Sequence, residues 1–182
     1  MGTFSELKTA GIQMFGDVGA WAYDEWKKLN ADFFESRNQL GPIYWVSVTE
    51  NRSLGCYSFT ENIIYLHKGM VRPPYPTNSY KWCLENLNQQ LARDVLLHEM
   101  IHQMIHQNGG WKGETTHNNE RFVGEVNRIA ELLGLDVTAK VIKTAKTGRK
   151  PIPSDGPRCL TLVELSNFPY SARPYEYYYG PK

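Results

Sequence analysis

The chain has 182 residues, 41% of them apolar and 13% aromatic, which is long enough for one domain with a proper core and too apolar for a disordered chain. Its net charge of +1 removes any global electrostatic argument for nucleic acid or an anionic membrane as partner. Cys56, Cys83 and Cys159 are widely spaced and odd in number, so they make neither a disulfide framework nor a CxxC zinc ribbon. With no secretion leader and no membrane-length apolar run, the expected setting is cytoplasmic.

In chain order, Phe4, Leu7, Ile12 and Phe15 predict a short first helix, interrupted by Gly16 and Gly19. From Asp17 to about Phe34 the apolar residues Ala22, Trp26, Leu29 and Phe33 recur at helical spacing, and Gly41-Pro42 ends that unit. Ile43 to Thr49, Leu54 to Phe59 and Asn62 to His67 are rich in β-formers and short-linked, which predicts three strands in an antiparallel meander. The prolines of Arg72-Pro73-Pro74-Tyr75-Pro76 demand a loop. Asn78 or Ser79 can then cap a helix running to about Gln107, with Leu84, Leu87, Leu91 and Val95 as its buried stripe and Gly109-Gly110 as its stop. After a loop from Asn108 to Thr116, Phe122, Val126, Ile129 and Leu133 predict a further amphipathic helix closed by Gly134. The basic run 140–150 reads as a solvated face or linker. Residues 151–182 form a Pro- and Tyr-rich tail, with a strand over Leu160 to Leu165, packed on the domain or partly mobile.

One stretch carries chemistry. His98-Glu99-Met100-Ile101-His102 spells H-E-x-x-H, and on a helix the two histidines stand one turn apart on one face, where both imidazoles can reach one zinc ion. Glu99 lies about 100° around the helix from His98 and is placed to take a proton from a zinc-activated water. A catalytic zinc site keeps three protein ligands and one open position. His106 is eight residues from His98, about 12 Å along the axis, and so reads as a groove-lining residue. Ile105 and Asn108 exclude the compact form with a third histidine nearby. The remaining ligand candidates are His117, which precedes the next helix, and Glu120 and Glu125 within it; a glutamate would make the site thermolysin-like. His67, at the end of a strand, reads as structural.

The order of elements, the Leu96 to His102 segment, and His117 followed by Arg121-Phe122-Val123-Gly124-Glu125-Val126-Asn127-Arg128-Ile129 resemble the SprT-like metallopeptidases, related to Spartan, over roughly Asp17 to Leu135. The resemblance implies that His98, His102 and His117 bind zinc and that Glu99 is catalytic. It also implies a protein or peptide substrate and an association with DNA. The expected fold is α+β and zincin-like, a small antiparallel sheet packed on helices with the motif helix central. Residues 1–150 are expected to form the metallopeptidase domain and 151–182 the tail. The competing expectations are a zinc-containing module that binds protein or DNA without cutting, and a protease whose third ligand is Glu120 or Glu125.

Overall fold

The computed structural model describes residues 2–47, 54–71, 82–110 and 119–133. His117, the prolines at 73–76, the candidate caps Asn78 and Ser79, the basic run and the tail lie outside the described residues. Among the described residues the fold is α+β, with a three-stranded sheet and three α-helical stretches.

Helical stretch α1 (Phe4–Phe34) opens on a capping box, in which Thr3 accepts from the Glu6 amide and the Glu6 carboxylate accepts from the Thr3 amide at 2.7 Å. It leaves helical geometry at Phe15 and Gly16. Gly16 has φ +54, and a methyl there would lie 2.9 Å from the Trp82 carbonyl oxygen, so both backbone conformation and space require glycine. The chain reverses at this point. Lys8 pairs with Asp24 at 2.6 Å, and Phe4 meets Tyr23 edge-on, contacts that a straight helix would hold about 24 and about 28 Å apart. The expected break therefore falls at Phe15-Gly16 and not at Gly19. Gly19 is helical, and it is the point where the second arm touches the backbone of Gly11.

Strands β1 (Ile43–Val46), β2 (Gly55–Ser58) and β3 (Ile63–His67) form where β-formers cluster. Their order is β1-β3-β2, with β3 parallel to β1 and antiparallel to β2. The β2–β3 hairpin agrees with the expected meander, but the sheet is mixed rather than antiparallel. The stretch 47–54 between β1 and β2 is longer than a tight hairpin loop. It lets β3 take the centre, where both edges of its backbone are paired. Strand composition alone does not choose among such pairings.

Helix α2 (Gln89–Gln107) starts about ten residues later than expected, with Asn88 as its cap accepting from the Leu91 amide at 3.2 Å. Leu84 and Leu87 precede it, Leu84 in a 3₁₀ turn (Leu84–Asn86) and Leu87 bridged to Val71. The apolar spacing across 84–95 is thus shared by two elements, and the cap side chain decides where helix begins. Helix α3 (Glu120–Leu132), capped by Asn119, buries Phe122, Val123, Val126, Ile129 and Ala130. Arg121 reaches the Asn108 carbonyl at 3.2 Å and Arg128 reaches the Phe33 carbonyl at 2.8 Å, which ties α3 to the ends of α2 and α1.

Helix α2 is central. It touches β2 and β3 on one side and α1 and α3 on others, and Leu96, Met100 and Ile105 are fully buried. Among the described residues, no helix is long and apolar enough to cross a membrane.

Candidate metal centre

His98 and His102 occupy successive turns of α2, and their Nε2 atoms are 3.2 Å apart. Phe122 of α3 backs both imidazoles. Its ring is stacked on His102, with centroids 4.5 Å apart and planes at 30°, and meets His98 edge-on at 5.3 Å. Phe122 is itself fully buried, so the apolar face of α3 sets the wall against which both rings rest.

Glu99 faces the other way, toward β2. It is 5% exposed, and its carboxyl accepts a hydrogen bond from the Tyr57 backbone N–H. The pairing of the sheet explains that bond. The Ile64 amide donates to the Pro42 carbonyl on the β1 side, and Tyr57 is the partner of Ile64 across the hairpin. In an antiparallel pair the polar groups of two opposed residues point the same way relative to the ladder, inward or outward. Those of Tyr57 therefore point to the outer edge of β2, the edge that pairs with no other strand among the described residues, and the Glu99 carboxyl lies there. Burial pushes the Glu99 carboxyl up to about 8, against the opposing pull of the Tyr57 N–H.

His106 sits one turn beyond His102 and is taken up by the protein rather than by the pair. Its Nδ1 is 2.9 Å from the Tyr57 hydroxyl, and its ring lies 4.9 Å from that of Phe59. The Tyr57 hydroxyl donates to Asn62 Oδ1 at 2.9 Å, so His106 Nδ1–H is the donor to Tyr57. Burial pushes the phenol up to about 12, which keeps its proton in place. His67 is likewise structural: Nδ1 accepts from the Gly69 amide at 3.0 Å and Nε2–H donates to the Ser47 carbonyl at 2.8 Å.

The rival carboxylates stand apart from the histidines. Glu120 is exposed in the first turn of α3, and Glu125 is paired with Arg128 at 2.9 Å. Among the described residues, no group of three or more His, Cys, Asp or Glu side chains is arranged to hold a metal ion. Neither glutamate thus joins His98 and His102 here. The described part of the candidate centre is a histidine pair backed by Phe122 and, on the β2 side of the same helix, a buried carboxyl at the strand's outer edge.

Sequence reasoning did not assign Phe122, Gly55 or Tyr57 to this centre. A glycine inside a strand pattern is the signal that marks Gly55, because it flags close approach by a neighbour. Nothing local marks the backbone N–H of Tyr57, which is set by strand pairing. No protein-family model, no curated protein and no solved structure matches the chain.

Proposed function

We propose that the protein is a zinc-dependent metalloendopeptidase of the SprT-like kind, with His98, His102 and His117 as zinc ligands and Glu99 as the general base. The observation that carries this reading is the 3.2 Å separation of the His98 and His102 Nε2 atoms. Two imidazole nitrogens at about 2.0–2.1 Å from one tetrahedral zinc stand roughly 3.3–3.4 Å apart, so the pair fits the ion with almost no rearrangement. When bound, zinc supplies a Lewis acid for the peptide carbonyl and lowers the pKa of water.

The chain's own residues do the rest. With both Nε2 atoms turned to the ion, the imidazole protons reside on Nδ1. A cation at the histidines favours the ionised form of the adjacent Glu99. Glu99 then takes the proton of the attacking water and delivers it to the leaving amine. The Tyr57 N–H is held by Glu99, but the Tyr57 carbonyl faces the same outer edge of β2 and can accept from an extended peptide laid beside that carboxyl. This suits locally unfolded protein segments, and the resemblance points to proteins associated with DNA.

The test is cleavage of casein by wild type and Glu99→Gln, each with and without single-stranded DNA, alongside zinc content. Cleavage in the wild type, with loss of about 10²-fold or more in a variant that keeps its zinc, supports the mechanism. Equal cleavage by both would overturn it. Zinc bound by a wild type that cleaves nothing would leave the binding-module reading in its place.

A further inference from the structure

Gly55 opens β2 directly against the motif helix. A methyl group built on it would lie 2.7 Å from Glu99 Oε1, 3.0 Å from Glu99 Cγ and 2.6 Å from Val95 Cγ1. The contacts with Val95 Cγ1 and Glu99 Oε1 are too short to survive and that with Glu99 Cγ is tight, so any residue but glycine forces something to move. The β2 backbone is held by its ladder to β3. Val95 is buried, helical and β-branched, and such side chains have essentially one χ1 well in a helix. The Glu99 carboxyl is the far end of a flexible side chain, and it is the neighbour able to give way. It is also the group that the Tyr57 N–H, two residues along the same strand, holds at the free edge.

We infer that Gly55 is a positioning residue: the missing side chain at Gly55 and the N–H of Tyr57 together form the seat of the Glu99 carboxyl. This rests on the peptidase reading for its catalytic meaning, but the seat itself belongs to the fold. Gly55 touches no substrate and acts only through where it lets Glu99 stand.

The experiment has two arms. In the first, kcat and KM for a peptide substrate are measured for wild type, Gly55→Ala, Val95→Ala and the double variant, with zinc content checked in each. A displacement of about 1 Å at a reacting group costs roughly 10²-fold in rate, so Gly55→Ala should lose about a hundredfold in kcat while KM and zinc hold. Adding Val95→Ala relieves the valine contact and not the carboxyl contact, so kcat should stay low. Restoration of kcat in the double variant, or an unchanged kcat in Gly55→Ala, would overturn the inference.

The second arm is a stability cycle on zinc-free protein, by urea midpoint, which pairs Gly55→Ala with Glu99→Ala and, separately, with Val95→Ala. Truncating Glu99 should recover the part of the Gly55→Ala loss that the carboxyl contact causes, and truncating Val95 the part that the valine contact causes, a non-additivity expected of residues in direct contact. If Gly55→Ala alone does not fold, a folded Gly55→Ala/Glu99→Ala protein supports the seat. Additive losses, or rescue only by Val95→Ala, would refute it. A wild type that cleaves nothing defeats the peptidase reading, while the cycle still decides the seat.

Discussion

The ring of Phe122 lies stacked on the imidazole of His102, with centroids 4.5 Å apart, although the two residues belong to different helices. Both are held by the packing of α3 on α2 and not by sequence proximity. The orientation of the histidine pair is therefore a property of the core. Replacing Phe122 by Ala should cost about 3–5 kcal/mol of stability, as for other large-to-small changes in a core. Phe122→Leu keeps much of the volume and should fold. It loses the flat surface behind both rings, and its zinc affinity should fall by about tenfold, within the range seen when groups that orient metal ligands are removed. Chelator competition on the Leu variant reads this, and unchanged affinity would show that the ring only fills space.

On the zinc reading, His98, His102 and His117 hold the metal and the two glutamates do not. Elemental analysis of the purified wild type should find about one zinc per chain, as for a single catalytic site. His98→Ala, His102→Ala and His117→Ala should each lose most of it. Glu120→Gln and Glu125→Gln should retain it, since Glu125 is occupied by Arg128 and Glu120 is exposed. Zinc kept by His117→Ala but lost by either glutamine variant would move the third ligand into α3.

Asp94, one turn before His98, gives a pH dependence. Burial pushes its carboxyl up to about 7 from 3.8, with the Arg93 charge pulling the other way. The folded state then holds this proton more tightly than the unfolded chain does. Stability should fall as pH rises from about 4 to about 7, where the unfolded chain has released the proton and the folded chain still holds it, and level off above, where both have released it. Asp94→Asn carries no such charge. Its urea midpoint should match wild type near pH 4 and exceed it at pH 8. A variant that is equally or less stable at pH 8 would show that the carboxylate is solvated or paired in the fold.

Much of this was legible in the sequence, and the parts that were not share a cause. The two arms of α1, all three strands, and α3 follow local patterns of apolar spacing and β-formers. So does the placing of His98 and His102 on one face of a helix. What failed were statements about partners. The pairing of β3 with β1 in parallel depends on how the chain crosses between strands. The start of α2 at Gln89 depends on Asn88 and on Leu87 being drawn to Val71. Gly19 carries no sign in its own sequence window that it meets Gly11. At the site, Glu99 was readable from the motif, whereas its seat on β2 was not, because the seat is made by residues more than 40 positions earlier in the chain.

Asn62, in the left-handed conformation at φ 55 between β2 and β3, has a side-chain oxygen that accepts from the Tyr57 hydroxyl at 2.9 Å, from Gln103 at 3.0 Å and from Gln107 at 2.9 Å. Gln103 in turn accepts from the Trp26 indole at 3.0 Å. The far end of β2 is thus bolted to the last turns of α2, while its near end rests on Val95 and Glu99. The strand and the motif helix are therefore joined at both ends, by hydrogen bonds at one and by close packing at the other. On the peptidase reading, a peptide laid along the outer edge of β2 would meet groups already in place, with little left to reorganise.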